Sequence, residues 1–346
     1  MSSRPRSEVD VVIARLRRFV PDRFTLSLAL TVLLATFLPA RGGVARVLDL
    51  VAQAAIALLF FLHGARLSRQ AALAGLTHWR LHLLVLTCTF FVYPLLGMLL
   101  LPLTTRLLSP DLVRGVLFLC AVPSTVQSSI AFTAVGQGNV AAALSSASAS
   151  NLLGVLLTPA VASALLGAQA GDGIGPGAVV GVVAQILVPF LLGQALQDRV
   201  GPWVRKRTYL AGLVDKGVIL FVVYTAFSAS VLEGLWSRLP LPVLAGVVGI
   251  CALLFGLGQL FARSAARLGR FSKEDEVAIV FCGSQKSLVA GAPMANILFG
   301  GQSLGLFLLP LMLYHQMQIL ASAWIARRYA RQVVAEQGSQ RPQSRS

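Results

Sequence analysis

Ten apolar runs follow one another along the chain, at 22–40, 44–65, 81–103, 112–136, 139–167, 175–197, 211–232, 241–262, 276–299 and 303–326. Crossing the hydrocarbon of a bilayer takes roughly 20 mostly apolar residues per helix. The runs have that length, and the segments between them leave no room for a sizeable soluble domain. Composition bears on one point only. Of 346 residues 56% are hydrophobic and 12% charged, about half the charge of a soluble domain. A single water-soluble core cannot enclose so much apolar surface, because the buried fraction levels off near three-quarters even in large domains. The excess must face lipid. The reading is an all-α membrane protein of about ten transmembrane helices embedded in a lipid bilayer. The first run reads as a retained helix, since both it and the basic stretch before it are too long for a signal peptide.

The formal charge of +16 would by itself suggest a nucleic-acid partner; its placement excludes one. With the N-terminus inside, basic residues gather in the N-terminal arm and in the second-to-third, sixth-to-seventh and eighth-to-ninth loops. More follow in the C-terminal tail, whereas the alternate loops hold only Arg41, Arg46, Arg106, Arg114 and Arg238. This is the positive-inside pattern. It predicts a multi-pass protein of a bacterial inner membrane with both termini cytoplasmic. The four cysteines lie in apolar runs without a CxxC partner, so neither a disulfide nor a metal is expected. No nucleophile or metal motif points to an enzyme. The chain divides into a basic arm (1–21), a first five-helix repeat (22–167), a second (168–326) and a disordered tail (327–346).

Five helices per half would place the second half upside down relative to the first. The fourth and ninth runs carry matching interruptions. Gln127-Ser128-Ser129-Ile130 corresponds to Gln285-Lys286-Ser287-Leu288 at an offset of 158 residues. Pro123 breaks the first run, because it removes a backbone donor and clashes with the preceding turn; Gly283-Ser284 weakens the second. Unwound backbone at membrane depth persists only where protein or a water-filled cavity satisfies it. Paired interruptions in two halves therefore point to a transport site.

Lys286 lies ten residues into its run. A lysine at mid-helix costs on the order of 2.5–3.5 kcal/mol on the gentler insertion scales. No Asp or Glu is placed to pair with it; Asp49 and Glu233 lie near run ends. It must be neutral, solvated in a cavity, or satisfied by carbonyls and neighbouring Ser and Gln oxygens. A second polar cluster, His315, Gln316 and Gln318, occupies the tenth run after Pro310. Gln127, Ser287, His315 and Gln318 are the residues expected to contact a solute. The stretch Ser145 to Asn151, SSASASN, fits close helix packing.

FFLHGARL at Phe60 to Leu67, the broken fourth run, NLLGVLLTP ending at Pro159, FCGSQKS and LPLMLYHQMQIL together resemble the bile acid:sodium symporter family. The similarity is greatest to the branch of its outlying seventh member and covers about residues 15–330. The resemblance implies a core domain from spans three to five and eight to ten, with the fourth and ninth crossing at their breaks. It implies a panel domain from spans one, two, six and seven, and a solute bound between the two. It also implies two sodium ions behind the crossover: one at the positions of Ser128 and Ser129, the other at those of Gln285 and Thr89. The second ion's E-x-G-x-Q-N pattern reads Phe281 to Lys286 here, so its carboxylate is lost and a lysine stands where the family has Asn. The expectation is a secondary carrier of a small organic anion or amphipathic solute, with Na+ as coupling ion and Lys286 as a tethered cation replacing one sodium. The alternative is a non-transporting regulator or receptor that keeps the carrier fold.

Overall fold

A computed structural model describes residues 23–66, 78–167, 176–234, 239–299 and 304–339. These form helices α1 (Arg23–Phe37), α2 (Gly42–Arg66), α3 (Trp79–Thr87), a π-turn (Cys88–Val92), α4 (Tyr93–Leu99), α5 (Leu101–Leu107), α6 (Pro110–Ala121) and α7 (Gln127–Val135). They continue with α8 (Val140–Gly167), α9 (Pro176–Ala195), α10 (Gln197–Lys206), α11 (Thr208–Leu232), α12 (Leu241–Leu268), α13 (Lys273–Ser284), α14 (Leu288–Phe299) and α15 (Leu304–Ser339). The basic arm of residues 1–21 lies outside the described residues. α15 continues to Ser339, past the boundary at 326 that composition suggests.

Among the described residues seven helical segments are long and apolar enough to cross a membrane, with shorter apolar helices at Leu26–Phe37 and Ile186–Ala195. The fourth run yields no long helix because it is split into α6 and α7. Large apolar side chains such as Leu30, Phe37, Leu241 and Leu268 point away from the protein, which in water would be an untenable surface. The span Lys273–Phe299 is different, with 94% of its apolar window buried. It is wrapped by protein rather than by lipid.

Two packing devices bring the bundle together. α2 and α9 meet through reciprocal glycines: a Cβ on Gly64 would lie 2.0 Å from the Phe190 carbonyl oxygen, and one on Gly193 would lie 2.0 Å from that of Phe61. α6 approaches α15 in the same way, with Gly115 against the Phe307 carbonyl. Small residues at such crossings allow backbones to touch, which is where association energy comes from when lipid is as apolar as the interface. At the basic end of the bundle, Ser272 caps α13 by accepting from the Asp275 N–H. Glu276 then pairs with Arg263 and Arg267 of α12 and accepts from the Tyr329 hydroxyl of α15.

Candidate functional site: a crossing of two broken helices

α6 ends where Val122 turns extended (φ −73°, ψ 152°), and α13 ends where Gln285 does the same (φ −84°, ψ 144°). The breaks touch, since the Ser287 N–H donates to the Pro123 carbonyl at 2.9 Å. Several other groups near the crossing are met by side chains. Gln318 grips the backbone of Lys286 from both sides: the Lys286 N–H donates to its Oε1 at 2.7 Å, and its Nε2 donates to the Lys286 carbonyl at 2.8 Å. The Tyr93 and Tyr314 hydroxyls both reach the Ser284 carbonyl. Ser150 accepts from the Ser124 N–H, and Asn151 donates to the Ser124 carbonyl. The SSASASN stretch thus does more than allow close packing, because its last two polar residues hold the fourth-run break open.

Lys286 is fully buried. Its Nζ donates to the carbonyl oxygens of Thr89 at 2.9 Å, Cys120 at 3.1 Å and Val122 at 3.0 Å, and it lies 4.3 Å from the centre of the Tyr93 ring. An ammonium has three N–H donors and no acceptor, so the three carbonyls match it donor for donor, and the aromatic face beside them adds attraction for its charge. A neutral amine would point its lone pair at one of those oxygens.

The sequence explains why these carbonyls are free. In the π-turn the Tyr93 N–H reaches back five residues to the Cys88 carbonyl. The same pattern would send the next N–H to Thr89, but the next residue is Pro94, which has none. The Cys120 carbonyl lacks its helical donor because the Ser124 N–H is taken by Ser150. Val122 has left the helix, and Pro123 follows it. Two of the three oxygens also lie at the C-terminal end of α6, where the helix dipole favours a cation. Such π-turns recur at functional sites.

Beside the lysine, Thr125, Ser128 and Ser129 direct their hydroxyls to the Oε1 of Gln285. Ser128 is also 2.6 Å from the Thr125 hydroxyl, and Ser129 lies 2.9 Å from it. Ser128, Ser129 and Gln285 are therefore neighbours, although the resemblance assigns them to two different ion sites. The Thr89 hydroxyl turns away to the Val85 carbonyl of its own helix, and this residue contributes its backbone oxygen to Lys286 instead. Phe281 packs against Phe132 and Tyr329.

A cavity of about 580 Å³ opens next to the crossing. Gln127, Ser128, Ser287 and His315 line it, with Phe24, Phe60 and Phe190 supplying apolar wall. Gln318 does not line it; its amide is spent on Lys286, and its Nε2 lies 3.0 Å from His315 Nδ1. The cavity wall includes a group that the sequence reading passes over. Asp215 of α11 is buried, 2.7 Å from Arg66 Nη1 and 3.5 Å from His63 Nε2. Arg66 and Lys216, counted as topology signals, line the same cavity.

Comparison with known proteins places this geometry. The chain is 53% identical to an uncharacterised protein of Pseudomonas aeruginosa, over 91% of this chain and 94% of that one. It is 45% identical to YfeH of Escherichia coli, over 92% and 96%. It is 28% identical to the sodium/bile acid cotransporter 7 of Danio rerio, over 89% and 93%. The profile of the SBF-like CPA transporter family covers residues 22–331. With seven apolar spans among the described residues and these relatives, this is a multi-pass membrane protein, and the chain belongs to the SBF-like CPA transporter family.

Proposed function

We propose that the protein is a secondary carrier that moves a small organic anion or amphipathic solute by alternating access, and that the Lys286 ammonium holds the place of one coupling cation. The observation that carries the reading is the three-carbonyl cradle around Nζ. Backbone carbonyls converging on one point are how membrane proteins replace the hydration of a monovalent cation. A lysine nitrogen there supplies the charge from the chain itself and, when protonated, would repel a sodium ion placed beside it. Any remaining sodium would bind at Ser128, Ser129 and Gln285, and to enter it must break the hydrogen bonds these groups make with one another.

In this reading two inverted five-helix halves form a core around the crossing and a panel that includes α1, α2, α9 and α11. The basic end faces the cytoplasm of a bacterial inner membrane, with both termini on that side. The cavity between the crossing and α2, α9 and α11 supports a solute site at the core–panel gap. The name sodium/bile acid cotransporter 7 carried by the Danio rerio relative supports solute movement rather than sensing.

Uptake of labelled cholate and 2-naphthoate into proteoliposomes tests the reading. Saturable uptake of at least one, lost in Lys286→Met, is the expected result. Folded, reconstituted protein that moves neither, while both still bind, would instead favour a receptor that retains the carrier fold.

A further inference from the structure

The cavity is not electrically neutral. Among the described residues, Arg66, Arg205 and Lys216 line it against a single carboxylate, Asp215. Arg205 comes near the end of α2: its Nη1 and the Ala65 carbonyl oxygen both lie within 2.7 Å of where a Cβ on Gly201 would stand. One end of the cavity thus carries an excess of two positive charges at pH 7 with His63 neutral, and the walls leading from it are apolar, built by Phe60, Phe190 and Val155.

Arg66 is the informative member. Its Nη1 is committed to Asp215 at 2.7 Å. Its Nε and Nη2 are shielded from solvent and have no hydrogen-bond partner among the described residues. Buried donors are nearly always satisfied, so an unsatisfied pair calls for an explanation. Nε and Nη2 form one edge of the planar guanidinium, and two parallel N–H groups on one edge are the fork that receives both oxygens of a carboxylate. Asp215 holds the group by its far nitrogen and leaves that edge uncommitted.

We propose that Arg66, oriented by Asp215, reads the anionic end of the solute through its Nε–Nη2 edge once the side chains that cover that edge move aside, with Arg205 and Lys216 adding attraction and the aromatic walls taking the apolar body. The proposal rests on the transport reading for its purpose but not for its test. Its ligand class is a carboxylate or comparable oxoanion on an apolar frame small enough for about 580 Å³. Asp215 then has two opposed effects. It fixes the fork, and its own charge repels the arriving anion.

The test is binding of 2-naphthoate, 2-naphthamide and 2-naphthylmethylammonium to the protein in nanodiscs, read by thermal unfolding and by titration calorimetry. The expected result is stabilisation by the carboxylate alone. Arg66→Gln weakens it by about tenfold to a hundredfold, as loss of hydrogen bonds to a charged group does. Arg66→Lys restores only part, because a point charge lacks the fork. Asp215→Asn strengthens binding, which a merely structural partner of Arg66 would not do. Lys216→Gln, which leaves the Arg66–Asp215 pair intact, weakens binding severalfold and serves if Arg66→Gln fails to fold. Equal binding of all three compounds, no binding of the carboxylate to wild type, or equal losses in Asp215→Asn and Arg66→Gln would overturn the proposal. Carboxylate binding without uptake would contradict transport and leave this site standing; uptake of a neutral solute without carboxylate binding would do the reverse.

Discussion

Replacing Lys286 by methionine lowers stability by about 2–4 kcal/mol, although it removes a buried charge from a membrane protein. Exchanging a buried ion pair for apolar residues is often neutral or favourable, because both costly partners leave together. Here the partners cannot leave. The carbonyls of Thr89, Cys120 and Val122 belong to the backbone, and each costs roughly 1–3 kcal/mol when left buried without a donor. Relief from desolvating the ammonium offsets part of that sum but not all of it. Lys286→Arg does not rescue, since a planar guanidinium spreads its donors and cannot present three N–H groups from one atom. Thermal unfolding in detergent checks both, and a methionine variant as stable as wild type would show that the cradle does not depend on the cation.

Gln318→Leu is expected to cost about 2–4 kcal/mol as well, through a different loss. Gln318 lies on α15 and serves the unwound backbone as a neighbouring strand would, accepting from the Lys286 N–H and donating to its carbonyl. Leucine matches the volume but leaves both groups unpaired in a region where no water reaches them. Gln318→Glu keeps the acceptor and sets an anionic oxygen against the Lys286 carbonyl, so it falls between wild type and leucine. Because these bonds fix the extended turn that aims the lysine, proteolysis within the ninth span should also speed up in Gln318→Leu. Unchanged unfolding and proteolysis would mean that the turn is held by the Ser287–Pro123 contact alone.

The all-helical membrane character and the two helix breaks could be read from residue types. Apolar runs of about 20 residues mark helices because a barrel strand crosses in about half that length, and Pro123 and Gly283-Ser284 mark breaks because a helix cannot easily continue through them. The polar residues flanking both breaks meet in the structure, with Ser128 and Ser129 against Gln285. The partners of Lys286 were less legible. Carbonyls belong to every residue, so only the loss of their usual donors could reveal them, and the clue was Pro94 following an aromatic stretch that winds into a π-turn. The Arg66–Asp215 pair was hidden for another reason. Arg66 reads as a topology signal and Asp215, inside the run 211–232, draws no reading at all, while their contact joins positions 149 residues apart. Gln318 was assigned to the solute because polar residues on a spanning helix usually face a cavity; here it faces an unwound backbone that needs it more.

The most direct test of the tethered-cation account is thermal unfolding of purified protein in sodium against choline at equal ionic strength, for wild type, Lys286→Ala and Lys286→Asn. A cation that binds only the folded state raises stability by mass action. The account predicts a sodium-specific rise in the variants that exceeds any in wild type, because the emptied carbonyl cradle can then take the free ion. A sodium response in wild type that the variants match or lose would contradict it.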